Sequence, residues 1–196
     1  MAKLESTLKN MIMSLSVISL IAAAVLVGGF ALTKEPIEKA HKDKQENAIK
    51  EVLPDKQATI GKGVEIKLEG KAFPFIIFPA EKDGKFVGAA IKTYSTEGYG
   101  GKIDVMVGVD AEGKISNYTI LTSGETPGLG SKLSNWFKTP KGNQDIRGKN
   151  PGKDNFTVKK DGGDFDAITA STISSRAFMG SIRSAFDAFK KYKEQK

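Results

Sequence analysis

Hydroxyl side chains are crowded near the C-terminal end of the sequence, directly before an apolar tail with helical spacing. They lie in the stretch DAITASTISSRAF, from Asp166 to Phe178. The five are Thr169, Ser171, Thr172, Ser174 and Ser175. A helix N-terminus uses about one or two side-chain oxygens as caps, and its free N–H groups and partial positive charge also stabilise a phosphate. The stretch therefore predicts either a hydroxyl-rich helix cap or a hydroxyl that carries a phosphate-bearing ligand.

Groups that could activate such a hydroxyl as a nucleophile are scarce in this chain. It contains no cysteine and a single histidine, His41. Disulfides, thiolate catalysis, sites with cysteine ligands and sites with several histidine ligands are therefore excluded. His41 lies in a strongly charged segment, and we interpret it as an exposed residue. A hydrolase with its own catalytic base is disfavoured, so a hydroxyl that carries a phosphate is expected to be modified by something other than this chain.

A second unusual stretch is GETPGLGSK, from Gly124 to Lys132. The backbone of such a glycine- and proline-rich loop can approach a planar or phosphorylated ligand closely. It lacks the order of glycine, lysine and hydroxyl that defines a P-loop. Taken alone, it predicts only an irregular loop.

The N-terminal region contains 22 uncharged residues, from Met11 to Leu32. This length crosses a bilayer core of about 30 Å. A cleaved signal peptide is the alternative, but its apolar region usually has about 7–15 residues. Lys3 and Lys9 precede the segment, which by the positive-inside rule places residues 1–10 in the cytoplasm. We therefore predict a single-pass protein of the inner membrane, with residues 11–32 in contact with lipid and the globular domain on the periplasmic or exterior side.

The remaining chain separates into a stalk and a globular domain. Residues 33–56 are strongly charged and predict a helical stalk, with Pro36 in its first turn and Pro54 at its end. Residues 57–196 predict an α+β domain, a mostly antiparallel sheet with packed helices. A short helix is predicted near residues 131–137 and a longer one from about Ser174 onwards. The predicted strands are Val64–Leu68, Phe73–Pro79, Phe86–Thr93, Ile103–Asp110, Ile115–Leu121 and, as a further candidate, Phe156–Lys160.

The net positive charge of the chain bears on which partners it could bind. The formal charge is +7, from 30 Lys and Arg against 23 Asp and Glu. Such an excess suits nucleic acid, anionic lipid or an acidic partner. Because the sequence has no nucleic-acid-binding motif and its aromatic residues are not interleaved with the lysines, nucleic-acid binding is not predicted.

In their order and spacing, these features resemble the G subunit of the Rnf electron-transport complex. The resemblance is carried by EGYGGKIDVMVGVD (Glu97–Asp110), GETPGLG (Gly124–Gly130) and DAITAST (Asp166–Thr172), between the N-terminal anchor and the terminal helix. It covers essentially the whole chain. The family is kin to the C subunit of the sodium-translocating NADH:quinone oxidoreductase.

The resemblance implies that FMN is bound covalently, through a phosphoester to the threonine of a Ser/Thr-Gly-Ala-Thr motif. In this family a separate flavin transferase, which recognises an upstream aspartate, attaches the flavin in the exported compartment. Carried over by position, Thr172 is the flavinylated threonine, Thr169 the first hydroxyl of the motif and Asp166 the aspartate. The sequence departs from the motif in having Ala170 in place of glycine and Ser171 in place of alanine, which puts a second hydroxyl beside the acceptor.

The resemblance also implies a role for the glycine-rich loop, which is expected to pack against the isoalloxazine ring. Thr126 and backbone N–H groups of the loop are expected to form hydrogen bonds with the ring. Leu129 is expected to cover one face of the ring. Tyr99 and Trp136 are interpreted as ring neighbours or as residues of the core or a subunit interface. No catalytic acid or base and no metal site are predicted. The expected loop residues of the cofactor site are Glu125, Thr126, Pro127, Gly128 and Leu129.

The implied function is that of an electron-relay subunit, which works with the other membrane subunits of an Rnf complex. That complex couples ferredoxin oxidation and NAD⁺ reduction to ion transport. The alternatives are the C subunit of the sodium-pumping quinone reductase and an anchored interaction module without cofactor. An exported enzyme acting on cell-envelope polymers is disfavoured, since no paired carboxylates or histidine constellation are present.

Overall fold

The computed structural model describes residues 7–195, which form two compact units divided between residues 44 and 45. Helix α1 spans Leu8–Val52 and contributes to both units. Its N-terminal part is long and apolar enough to cross a membrane, and no part of that apolar stretch is buried. The sequence predicts a boundary near residue 33, but α1 continues through Pro36. Proline removes one backbone donor from the helix, and the hydrogen bonds of neighbouring turns are sufficient to carry the helix past it.

The second unit is built on a sheet of six strands, in which every pairing is antiparallel. The strand order is β1-β3-β4-β5-β6, and β2 also pairs with β3. Because β3 to β6 follow one another along the chain, short turns suffice to connect them. The strands are β1 (Thr59–Ile60), β2 (Val64–Ile66), β3 (Phe75–Lys82), β4 (Lys85–Gly98), β5 (Gly101–Asp110) and β6 (Ile115–Ser123).

Alternating side chains of the central strands form two apolar clusters, one on each face of the sheet. Helix α3 (Thr172–Glu194) packs on one face, where Val105 and Val107 of β5 lie in the same apolar cluster as the buried residues of α3. The last turns of α1 cover the other face, where Val52 packs with Met106 of β5. Burial on both faces explains why β5 carries no charged residue from Val105 to Val109.

The segment between β6 and α3 is mostly irregular, yet it is fixed to the core. It contains helix α2 (Leu133–Trp136) and two turns of 3₁₀-helix, at Gly130–Lys132 and Lys159–Asp161. The hydroxyl of Tyr118 donates to the carbonyl of Leu133 at 2.6 Å and accepts from the N–H of Phe137 at 3.2 Å. These bonds hold α2 against the sheet.

The strand predicted at Phe156–Lys160 is wrong. This segment makes a single isolated bridge, between Val158 and Phe165, and then turns into the 3₁₀-helix Lys159–Asp161. Phe156 and Val158 are nevertheless buried, because any extended segment places alternate side chains toward the core. The predicted fold class, α+β with an N-terminal apolar helix and a mostly antiparallel sheet, is confirmed.

Candidate functional site

A pocket of about 550 Å³ lies where the turn between β4 and β5, the glycine-rich loop and the start of α3 meet. Its volume is within the range of about 300–1,000 Å³ that is usual for small-molecule sites. Exposed apolar side chains form much of its wall, since Tyr99, Leu129 and Ile173 are 72%, 40% and 50% exposed. The lining residues are Tyr99, Glu125, Thr126, Leu129, Gly130, Ala170, Ser171, Thr172, Ile173 and Ser174.

Two glycines bring the turn between β4 and β5 close to the glycine-rich loop. A Cβ atom on Gly100 would overlap the backbone of Gly124, and a Cβ on Gly124 would contact the carbonyl of Gly100. The two backbones can therefore approach only because both residues lack side chains. This contact places Tyr99, at the tip of the turn, beside the loop.

The buried carboxylate of Glu125 joins three segments around the pocket. Oε1 accepts the N–H of Gly100 at 3.2 Å, and Oε2 accepts the hydroxyl of Ser174 at 2.6 Å. Ser174 Oγ also lies 2.8 Å from Ser171 Oγ. Glu125 therefore ties the glycine-rich loop to the turn between β4 and β5 and to the first turn of α3.

The two hydroxyls next to each other at the start of α3 have different environments. Ser171 is buried, and its hydroxyl shares a hydrogen bond with Ser174. It makes no side-chain capping bond to α3, although it occupies the N-cap position. Thr172, the first residue of α3, is half-buried and lines the pocket. Both residues line the pocket, but the Ser171 hydroxyl is buried and hydrogen-bonded to Ser174, whereas the Thr172 hydroxyl contacts the exposed Lys160 ammonium at 3.4 Å.

Ala170 has an unusual backbone conformation for a residue with a side chain. Its φ is +61°, in the left-handed region. Glycine adopts this region without cost, whereas alanine is disfavoured there by about 1–2 kcal/mol. The conformation explains why a glycine at this place in the motif is suited to the turn into α3.

Asp166 faces a neighbouring loop and is not part of the pocket lining. Its carboxylate lies 2.9 Å from the Lys159 ammonium and accepts the N–H of Asn143 at 2.8 Å. The bond from Lys159, followed by the bond from the Asn143 backbone, holds the pKa of Asp166 below its usual value. The backbone carbonyl of Asp166 accepts from the indole of Trp136 at 2.8 Å. Trp136 is therefore used in fixing this loop, and it does not line the pocket.

The structure brings together most, but not all, of the residues expected from the sequence. Glu125, Thr126 and Leu129 lie in one wall, and Ala170, Ser171 and Thr172 lie in another. The remaining four, which belong to the same two segments but lie outside the lining, are Pro127, Gly128, Asp166 and Thr169.

Sequence reasoning misses the groups that complete the site. Ser174 is visible as a hydroxyl, but its bond to Glu125 spans 49 positions and leaves no local signal. Lys160, whose ammonium lies 3.4 Å from Thr172 Oγ1, falls within a predicted strand. Two lysines before a Gly-Gly turn are the available signal for a cation near the start of α3.

These residues fit an FMN. The apolar walls suit a planar isoalloxazine ring, which is largely hydrophobic. The first turn of α3 and the Thr172 hydroxyl suit its phosphate, because Ser171 does not cap the N–H groups of that turn with its side chain.

Comparison with known proteins agrees with this geometry. The FMN-binding domain family matches residues 98–187, which include the loop, the pocket and most of α3. The G subunit of the ion-translocating oxidoreductase complex of Vibrio cholerae is 30% identical over 190 residues, covering 92% of this chain and 90% of the relative. The protein of the same name from Aliivibrio fischeri is 29% identical over 207 residues, covering 97% and 94%.

The similarity extends over the anchor, the sheet and the terminal helix, and it confirms the family that the sequence motifs indicated. An identity of 30% over nearly the full length of both chains requires the same fold and the same order of elements. The chain therefore belongs to the family of G subunits of Rnf-type ion-translocating oxidoreductase complexes, as a redox subunit with an FMN-binding domain.

Proposed function

We propose that the chain carries FMN covalently, through a phosphoester on the hydroxyl of Thr172, and relays electrons in an Rnf complex. The observation that carries this proposal is the contrast between the two adjacent hydroxyls. Both line the pocket, but Thr172, the first residue of α3, is only half-buried, while Ser171 is buried and its hydroxyl is bonded to Ser174. A phosphate on Thr172 would meet the positive end of the α3 dipole.

A bound FMN supplies the redox chemistry through its isoalloxazine ring. The chain contributes position and environment. Leu129 and Ile173 offer apolar contact to a ring, and Tyr99 offers an aromatic face at the tip of the turn between β4 and β5. Glu125 holds the turn between β4 and β5 and the first turn of α3 next to the glycine-rich loop, through its hydrogen bonds to Gly100 and Ser174. No side chain has to act as a general acid or base in a relay of this kind.

Attachment requires a second protein, a flavin transferase. The chain has no cysteine, and its one histidine, His41, is an exposed residue of α1. Asp166 lies six residues before Thr172 on the exterior of the loop, where a transferase could recognise it. Because joining FMN to a hydroxyl with loss of water is unfavourable in water, the donor must be an activated flavin such as FAD.

The rest of the proposal concerns the setting of the domain. Residues 11–32 anchor the chain in the inner membrane and contact lipid, residues 33–56 form a stalk, and residues 57–196 are the flavin domain. The domain lies on the periplasmic or exterior side, and the partners are the other membrane subunits of a complex that couples ferredoxin oxidation and NAD⁺ reduction to ion transport. A covalent tether suits this location, because flavin lost outside the cell is not recovered.

The test is co-expression of the full chain with a flavin transferase in the exported compartment, followed by intact mass and fluorescence of the denatured protein. Wild type and Ser171→Ala should both gain one FMN less water, and the fluorescence should survive denaturation. Thr172→Ala should have the unmodified mass. If all three chains remain unmodified while the transferase acts on a control substrate, the chain is an anchored interaction module and the proposal is wrong.

A further inference from the structure

The 3₁₀-helix Lys159–Asp161 contacts α3 and the loop before it through three consecutive side chains. Lys159 forms an ion pair with Asp166 at 2.9 Å, and Asp161 receives two bonds from Arg176, at 2.6 and 2.7 Å. Between them, Lys160 Nζ lies 3.4 Å from Thr172 Oγ1. The segment is thus fixed by ion pairs on both sides of Lys160, which holds the Lys160 ammonium beside the Thr172 hydroxyl.

A phosphodiester on Thr172 would make a nearby cation favourable at this pocket. The lining contains the carboxylate of Glu125 and neither lysine nor arginine. A phosphodiester on Thr172 adds a second negative charge to the same pocket. Two negative charges that line one partly buried pocket repel each other unless a cation offsets them.

Lys160 is available for that role because its charge is not already paired. Lys159 is paired with Asp166, and Asp161 with Arg176. Among residues 7–195, Lys160 has no ion-pair partner, and its ammonium contacts the neutral Thr172 hydroxyl instead. In a phosphothreonyl ester, Oγ1 of the threonine is bonded directly to phosphorus. The Lys160 ammonium, which contacts Thr172 Oγ1, would therefore lie next to the phosphate.

We propose that Lys160 is a further residue of the attachment site, which orients Thr172 Oγ1 and neutralises the phosphoryl group during and after its transfer. The proposal rests on Thr172 being the acceptor. In the transfer, a bond forms between Oγ1 and the flavin phosphorus, and the pyrophosphate bond of FAD breaks. AMP leaves with the bridging oxygen, the hydroxyl proton passes to a base of the transferase, and no electrons are exchanged. A neutral hydroxyl becomes an anionic diester, so a cation at Oγ1 favours the step.

The experiment measures the initial rate of flavin attachment to the purified full-length chain, with purified transferase and FAD, by intact mass. The variants are Lys160→Gln and Lys160→Met, which remove the charge, and Lys160→Arg, which keeps it. Lys153→Gln is the matched control, since Lys153 is an exposed lysine that lines a different pocket. Thermal unfolding of each variant, followed by the fluorescence of the single tryptophan, Trp136, shows that the fold is retained.

The neutral variants should lower the maximal rate about tenfold with little change in KM, since a charge-assisted hydrogen bond in a partly exposed site is lost. Lys160→Arg should keep most of the rate, and Lys153→Gln all of it. Raising the salt concentration should narrow the gap between wild type and Lys160→Gln, because the effect is electrostatic.

Two results would overturn the inference. One is a maximal rate of the neutral variants within about twofold of wild type. The other is a raised KM at an unchanged maximal rate, which would make Lys160 a contact for the transferase. Failure of the proposed function is a separate result, read from chains with Lys160 intact: either the wild type gains no flavin, or Thr172→Ala gains it.

Discussion

The hydroxyl of Ser174 donates a 2.6 Å hydrogen bond to Oε2 of Glu125, which joins the glycine-rich loop to the first turn of α3. Both residues are buried, and their bond lies directly against the pocket. The Ser171 hydroxyl extends this connection by its contact with Ser174. The same contacts that hold the two walls together therefore also engage the Ser171 hydroxyl in a hydrogen bond, whereas Thr172 takes no part in them.

Removing the hydroxyl of Ser174 should destabilise the domain. Ser174→Ala leaves one oxygen of a buried carboxylate without its donor, and we expect a loss of about 1.5–3 kcal/mol in the free energy of unfolding. Ser181→Ala is the matched control, because within residues 7–195 the Ser181 hydroxyl bonds only to the Phe178 carbonyl of its own helix. It should cost less than about 1 kcal/mol. Denaturant unfolding of the full chain, followed by the fluorescence of Trp136, measures both, and equal losses would contradict the role of the Glu125 bond.

Replacing Ala170 by glycine should stabilise the domain. Replacing alanine at a φ of +61° removes a conformational cost of about 1–2 kcal/mol from the folded chain. Glycine is also more flexible in the unfolded chain, which offsets about 0.5–1 kcal/mol of that gain. We expect a net gain of about 0.5–1 kcal/mol. Asp83→Gly is the control, since Asp83 also has a positive φ, +51°, but aspartate tolerates this region better. The prediction fails if Ala170→Gly lowers the unfolding midpoint.

The ion pair of Asp166 predicts a specific pH dependence of stability. Because its pKa is depressed in the folded chain, first by Lys159 and then by the Asn143 N–H, its contribution is complete above about pH 4 and is lost as the pH falls through the folded pKa. Asp166→Asn should therefore cost about 0.5–1 kcal/mol at pH 7, a small value because both partners are partly exposed.

The difference between wild type and Asp166→Asn should shrink as the pH is lowered toward 3. Lys159→Gln removes the main ion-pair partner of Asp166, so it should reduce the same pH-dependent contribution to the free energy of unfolding. Unfolding free energies of the three chains across pH 3 to 7 provide the measurement. A constant difference at all pH values would show that the carboxylate charge of Asp166 does not stabilise this loop.

The absence of cysteine gives a direct test of membrane orientation. Lys141→Cys places one thiol in an exposed loop of the domain, and Lys3→Cys places one before the apolar segment. If the domain is exported, a membrane-impermeant maleimide should label position 141 in intact spheroplasts and position 3 only after the membrane is opened. The reverse pattern would place the domain in the cytoplasm.

Much of the architecture could be predicted from local patterns. The uncharged run from Met11 to Leu32 indicates its helix, and the alternation in Ile103–Asp110 indicates β5. The pattern fails at Phe156–Lys160, where Phe156 and Val158 alternate as in a strand. Periodicity reports which side chains face the core, but it does not report whether a neighbouring backbone is available for pairing.

The site was predictable only in part, for a related reason. The hydroxyl cluster and the glycine-rich loop are each visible as short stretches, and the family resemblance links them. The bond between Glu125 and Ser174 and the contact between Lys160 and Thr172 join residues that are 49 and 12 positions apart. Nothing in the sequence alone distinguishes Ser171 from Thr172. Their difference in burial and in hydrogen bonding arises from how α3 meets the loop.

The most direct test of the central claim is to locate the flavin within the chain by peptide mass spectrometry. Trypsin should release the peptide Asp161–Arg176, which contains all five hydroxyls of the cluster. Fragmentation of this peptide from the flavinylated full-length protein should place the FMN phosphate on Thr172 and leave Ser171 unmodified. Finding the flavin on Ser171, on another hydroxyl of the peptide, or released intact from an unmodified peptide would contradict the account.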